Sequence, residues 1–196
     1  MCPGGFVVNA SSEENHLVIN GMSNHKRNEE NANSAIVVQV SNKDFGNNIF
    51  DGMNFQRHLE EKTYNLGNGL IPAQLFKDYE NNTISKEFKS VKPIFKGNYK
   101  FANINDIFPE FINNDLKEAI NYFNNKIDGF NSGDAIIAGV ETRTSSPIRI
   151  VRDENGMSNI DGIYPIGEGA GYSGGITTSA MDGIKISELI AKVYKN

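Results

Sequence analysis

Tryptophan is absent from this chain, cysteine occurs once and proline only six times in 196 residues. Cys2, standing alone, excludes an intrachain disulfide, and His16, His25 and His58 lie at no ligand spacing from one another or from Cys2. No metal site is therefore expected. Basic residues are outnumbered, 19 against 24 acidic ones, for a net charge of −5, which leaves no basic stripe to neutralise phosphates. Nucleic acid is thus not an expected partner. No apolar run approaches the roughly 20 residues that span a bilayer, and the opening MCPGGFVV has neither a basic leader nor a long apolar core. We expect no membrane partner, a reducing compartment and a cytoplasmic location. A GxSxG elbow is missing and no histidine completes a triad, so a hydrolase would lack its activated nucleophile.

What is present suffices for a core. A fold of this length buries about 70% of its unfolded surface, and 38% hydrophobic against 22% charged residues is too apolar for wholesale disorder. Asparagine is abundant, as in NNDLKEAINYFNNK, and carries no functional reading.

Phe6 to Asn9 and His16 to Asn20 read as short strands separated by the turn SSEEN. AIVVQV, residues 35 to 40, is a β-branched run suited to a buried strand. Phe55, His58, Leu59 and Lys62 fall at helical steps within NFQRHLEEKTYNLG, which Gly67 would stop. PAQLFKDYE predicts a second helical piece opened by Pro72, and residues 80 to 100 an irregular connection. Phe111, Leu116, Ala119, Ile120 and Phe123 give one apolar face to a helix between Pro109 and Ile127. AIIAGVETR predicts a buried strand, SPIRIVRD an edge strand, and GIYPI, residues 162 to 166, a short strand. Residues 176 to 195 are amphipathic, with Ile186, Leu189, Ile190 and Val193 on one side and Lys185, Glu188, Lys192 and Lys195 on the other.

Between the last strand and helix lies GEGAGYSGG, with glycines at 167, 169, 171, 174 and 175. Strand, glycine-rich turn and helix together place unsatisfied helix amides beside an anion or a polarised carbonyl. Such a helix end contributes about 0.3 to 2 kcal/mol toward a nearby negative charge. Glu168, the one ionisable group in the turn, suits sugar hydroxyls better than phosphate, because a carboxylate accepts hydroxyl bonds and repels phosphate. The bland alternative is a turn that merely lets strand meet helix tightly. Five glycines in nine residues weigh against it.

GIYPIGEGAGYSGGITTSAMDGIK resembles the closing flavin motif of the NAD(FAD)-utilizing dehydrogenase family, distant relatives of the glutathione reductase-like flavoproteins. ETRTSSPIRIVRDE resembles the family's ExRTSSPxRI segment, and CPGGFVVNASSE and NGMSNHKRNEENANSAIVV resemble its CPGG and NGMS...ENANSA segments. Between Phe45 and Asn131 there is little resemblance. The resemblance implies FAD as cofactor with NAD(P)H as a donor, and cofactor binding by Gly167, Glu168, Gly169, Gly171, Gly174, Gly175, Ile176 and Thr177. In that group the acidic residue of the GE pair contacts the ribityl and phosphate region, and the helix amino end faces the pyrimidine edge.

Arg143 with Thr142, Thr144, Ser145 and Ser146 is a compact group of donors suited to an anionic or carbonyl ligand or to reduced flavin. A strand-end arginine paired with a carboxylate is the structural alternative. Cys2 invites a redox reading, but the sequence shows no neighbouring cation to activate a thiol, and a small packed or capping residue is the better reading. Asn20, Ser23, Arg27, Asn31, Asn33 and Ser34 are polar enough to line a pocket for a small-molecule substrate, and equally suited to turn chemistry. No general acid or base stands out.

A strand followed by GxGxxG, the cradle for the cofactor's diphosphate, is missing. We therefore expect a truncated or split product lacking its amino-terminal FAD domain. Its expected fold is α+β: an inserted substrate domain at residues 1–140 with a mixed or antiparallel sheet, and at 141–196 the closing strand, turn and helix of an FAD-binding Rossmann-like domain. The intact protein would be an FAD-dependent oxidoreductase, and this chain alone inactive and free of FAD. Lacking the parallel sheet, residues 160 to 194 would either oligomerise or pack on the chain's own sheet. A non-enzymatic module that binds an anion or a partner at the glycine-rich helix end is the alternative.

Overall fold

A computed structural model of the chain describes residues 2–194; Lys195, assigned above to the polar side of the last helix, lies outside the described residues. The architecture is α+β, with two small mixed sheets and five α-helices among the described residues. In chain order come β1 (Gly5–Asn9), β2 (Ile19–Ser23), α1 (Asn42–Phe45), α2 (Asp51–Gly67), β3 (Ile71–Leu75) and α3 (Phe76–Glu80). β4 (Phe95–Lys96), β5 (Tyr99–Phe101), α4 (Glu110–Phe123), β6 (Ile136–Ala138) and α5 (Ile176–Val193) follow. These form two compact units, one of Met1–Val40 with Gln56–Thr142, the other of Ser41–Phe55 with Arg143–Asn196.

In the first unit β1 pairs antiparallel with β2, Val7 opposite Gly21, and parallel with β4, Val7 opposite Phe95. The second sheet centres on β3, parallel to β5 and antiparallel to β6. Leu17, Ile19 and Ile71 are buried together with Val7, Tyr64, Phe95 and Ala138 packed against them. Ala73, Leu75 and Phe88 form a second buried group, against which Phe95, Phe101 and Ile136 pack. Phe95 touches both groups and so couples the two sheets through one ring. Each large side chain so buried contributes about 1.5–3 kcal/mol.

Gln74 lies fully buried in the middle of β3. Its Nε2 donates to the Thr83 carbonyl at 2.5 Å and to Asn103 Oδ1 at 3.3 Å, while its Oε1 accepts the Ile104 amide at 2.9 Å. A buried amide is tolerated only when its hydrogen bonds are made, and here they tie two loops to the central strand.

Several elements differ from expectation. PAQLFKDYE opens as β3, and the helix begins only at Phe76. Pro72 is tolerated in that strand because its nitrogen faces the β6 side beyond the last regular pair, Ala73 with Ala138. Only the Gly139 amide reaches back there, to the Pro72 carbonyl at 3.4 Å. Residues 80 to 100 contain β4 and the start of β5. AIVVQV forms no strand, and Val37 is 64% exposed; a β-branched run becomes a strand only beside a ladder partner. AIIAGVETR is a strand only over Ile136–Ala138.

In the second unit α1 is closed by a capping box, Ser41 accepting from the Lys43 amide and Asp44 from the Ser41 amide. α5 buries Ile186 beside Gly156, in the turn that DENG makes. SPIRIVRD and GIYPI, expected as strands, are irregular, because their polar groups are used otherwise. The Ile163 carbonyl accepts from the Ser158 amide at 2.8 Å, and the Pro165 carbonyl accepts from Arg152 at 2.8 Å.

Gln74→Leu is expected to lower unfolding stability by about 1–3 kcal/mol, because the buried Ile104 amide loses its acceptor. An unchanged urea midpoint would show that the glutamine network is dispensable.

Candidate functional site

The glycine-rich turn enters from Pro165 and leaves at Gly175, where α5 starts. Its shape comes from short backbone bonds, Gly171 N–H to the Glu168 carbonyl at 2.9 Å and Tyr172 N–H to the Gly167 carbonyl at 3.0 Å. At Gly171, with φ +81°, a Cβ would stand 2.5 Å from the Ile148 carbonyl. A side chain is thus excluded by both conformation and space.

A second stretch, Ser146 to Arg152, runs along this turn. Ser146 Oγ donates to the Gly169 carbonyl at 3.3 Å, Arg149 Nε to the Gly171 carbonyl at 3.0 Å, and the Ile150 amide to the Ala170 carbonyl at 3.1 Å. The SPIRI and GEGAGYSGG segments are thereby one local structure.

An ion pair locks it. Arg152 Nη2 lies 2.6 Å from Asp182 Oδ1 and Nη1 2.9 Å from Oδ2, with only 9% and 12% of the two side chains exposed. Asp182 sits nearly two turns into α5. Its Oδ2 also accepts the Gly167 amide at 2.9 Å, and Arg152 Nη1 also donates to the Pro165 carbonyl. The guanidinium stacks on Tyr172, 3.6 Å from the ring centre, and Arg149 approaches the same ring at 5.0 Å. The Arg152 hydrogen bonds, then the Gly167 amide, hold the Asp182 carboxyl down at about 2, and the same bond raises the Arg152 guanidinium.

Beyond the lock, the turn opens outward. Glu168, Gly169, Gly174, Ile176 and Thr177 are exposed, Ile176 at 94%. No side chain caps α5 at Gly175, and no acidic residue occupies its first turn. The helix amino end therefore keeps its donors and partial positive charge available to an anion or carbonyl. Gly167 differs from the rest of the candidate set: it is buried and its amide is already taken by Asp182.

Ser145 and Ser146 are brought to this turn, Ser145 Oγ lying 3.5 Å from where a Cβ on Gly174 would be. Arg143 is exposed and Thr144 half-buried. Thr142 belongs to the first unit, where its hydroxyl donates to the buried Glu60 carboxylate at 2.6 Å and its carbonyl accepts from Gln56. Burial raises the carboxyl of neighbouring Glu141.

Cys2 and Asn20 also belong to the first unit. Cys2 is half-buried, its thiol 3.9 Å from the Gly21 carbonyl and its backbone bridged to Asn33. Asn20 is exposed on β2, opposite Val8. Asn33 Nδ2 donates to the Phe6 and Met22 carbonyls, both at 3.3 Å, and its amide fills the space where Cβ atoms on Gly5 and Gly21 would lie. The CPGG, NGM and ENAN segments thus interlock around one asparagine. Asn31 donates to the Lys92 carbonyl at 2.6 Å. A shallow hollow of about 400 Å³ is lined by Leu70, Pro93, Phe95, Gly97, Asn98 and Tyr99, and none of the polar residues between Asn20 and Ser34 lines it.

Arg149, Arg152, Tyr172 and Asp182 escaped the sequence reading. Arg152 and Asp182 are thirty residues apart, so no local spacing pairs them. The one available signal was an aspartate in the otherwise apolar and small opening of a helix that follows a glycine-rich turn. Among the described residues no helix is long and apolar enough to cross a membrane.

Two measurements check this geometry. A carboxyl NMR titration should place Asp182 at about 2, so that the pair's contribution is complete above the ordinary carboxylate value, roughly 4, and fades only as pH falls toward that lower value; a normal titration would refute the lock. Asn33→Ala should lower stability by about 1–2 kcal/mol through two lost hydrogen bonds, and equal melting curves would remove its structural role.

Comparison with known proteins adds two findings. The model of the family "FAD-dependent protein, C-terminal domain-like" matches residues 1–144. An uncharacterized protein of Clostridium beijerinckii (strain ATCC 51743 / NCIMB 8052) is 46% identical over 198 residues, covering 99% of this chain and 37% of the relative. The chain therefore spans little more than a third of that relative's length.

Proposed function

The chain belongs to the FAD-dependent protein, C-terminal domain-like family, and from that premise we propose that it is the carboxy-terminal part of an FAD-dependent oxidoreductase of the NAD(FAD)-utilizing dehydrogenase type. The observation that carries the reading is the uncapped, exposed amino end of α5 at the close of a turn whose shape is fixed from behind. A flavin's polar pyrimidine edge needs donors of that kind, held rigidly and free of local acceptors.

The residues fit such a group. Amides at the start of α5, Gly175, Ile176 and Thr177, would face carbonyl oxygens, and Glu168 would accept from ribityl hydroxyls. Gly169, with open space beside it, would let a planar ligand approach the turn, while Gly171 and Gly174 let the stretch from Ser145 to Arg149 lie close against it. Gly167 serves through its amide's bond to Asp182. Ser145 and Arg143 would contribute donors near the flavin, while Ser146, whose hydroxyl is engaged with the Gly169 carbonyl, would hold the turn beside it. When bound, FAD would supply hydride exchange with NAD(P)H or a small organic substrate; the chain's own part is to orient the ring and stabilise charge at its edge.

The diphosphate cradle, absent from this sequence, would come from the part of a longer polypeptide that this chain does not span. That part would also supply a sheet for the apolar side chains the second unit exposes, Val151, Ile163, Met181 and Ile184 among them. A second copy of the chain is the other cover we propose for them.

The test is an FAD titration of this chain together with the separately produced remainder of the Clostridium beijerinckii relative. Flavin visible absorbance that stays with the protein after desalting of the mixture, with none retained by either piece alone, is the expected result. Should the desalted protein be colourless while it binds an inorganic anion or a protein at the turn, the non-enzymatic reading takes its place.

A further inference from the structure

We propose that Asp182 and Arg152 are positioning residues, a pair that never touches the cofactor but sets the turn between Pro165 and Tyr172 in its cofactor-receiving shape; this rests on the flavin reading above. The pair makes three separate ties to that turn. Asp182 Oδ2 holds the Gly167 amide, Arg152 Nη1 holds the Pro165 carbonyl, and the guanidinium face carries the Tyr172 ring. The Arg152 backbone adds a fourth, its amide donating to the Tyr172 hydroxyl at 3.2 Å. Because Asp182 belongs to α5, the helix carries on its own body the clamp that fixes the loop preceding it. Turn and helix amino end are thereby held in one register, which a cofactor lying against both would require.

The geometry also says why neither residue is a binding group itself. Both carboxylate oxygens accept bonds from within the unit, and both terminal guanidinium nitrogens are engaged. Only about a tenth of each side chain is exposed. A cofactor's phosphate would have to break the pair to reach Arg152. Glu168 and Arg149 are different in this respect, since both side chains are exposed.

Amide hydrogen exchange on this chain, without flavin, tests the clamp. Asp182→Asn keeps the side-chain shape but loses the charge that Arg152 faces. Exchange at Gly167 to Tyr172 should accelerate about tenfold or more, while amides of α2 and β3 keep their protection. Arg152→Lys provides the second variant: it keeps the charge, so the unit folds, yet loses the bidentate fork and the stacked plane. In the FAD-competent mixture with the remainder of the relative, both variants should weaken FAD binding by about tenfold and shift the bound flavin's visible circular dichroism. Asp182→Glu, which restores the charge, should recover part of the affinity.

Exchange and affinity within about twofold of wild type in both variants would overturn the proposal. A wild-type mixture that takes up no FAD would instead sink the flavin reading, and the cofactor role of the pair with it. The two failures are told apart by the wild type alone.

Discussion

The second unit depends on one interaction, the enclosed pairing of Arg152 with Asp182. Residues 162 to 175 form no strand or helix of their own, so they have no ladder to hold them. A loop with this many glycines has a large conformational freedom to lose. What offsets that loss is an arginine whose planar fork meets a carboxylate squarely, lies flat on an aromatic ring and still has a hydrogen left for a carbonyl. Removing one member of such a pair leaves the hydrogen bonds of the other unmade. Lysine, with a compact ammonium head, could not hold all of these contacts together.

The first unit solves a related difficulty with amides in place of charges. Two short sheets offer little apolar area, so Gln74 and Asn33 bind loops to strands, and Asn113 binds α4 to the turn before it. Asn113 accepts from the buried Tyr79 hydroxyl at 2.7 Å, and burial raises that phenol well above its ordinary range. The abundant asparagine, which had no functional reading, is in these places an internal fastening. Several polar residues that looked like pocket lining serve the same end, Asn33 most plainly.

The legible parts were those with local periodicity. α2, α4 and α5 all lie where three and four residue spacing put them, because a helix is specified within its own length. Strands were harder. β1 lies at its expected place and β2 three residues beyond its own, at Ile19–Ser23 in place of His16 to Asn20, whereas AIVVQV, SPIRIVRD and GIYPI have the composition of strands without being strands. Composition states a willingness to pair, and pairing depends on a neighbour that may be far along the chain or outside it. The glycine-rich turn of the candidate site, and the helix that follows it, were legible in the sequence. Its closed back was not, since the contact between Arg152 and Asp182 spans thirty residues and leaves no periodic trace.

The path of the backbone carries one further consequence. Each unit is assembled from two separated stretches, the segment Ser41–Phe55 being set into the first unit's sequence while belonging to the second. Neither can be excised by a single cut. A truncation after Thr142 would orphan that segment, and deleting the segment would rob the carboxy-terminal part of Phe45 and Gly52, the latter packed against Pro147. On the ribosome, likewise, a nascent chain holds residues 41 to 55 idle until its last fifty or so have emerged.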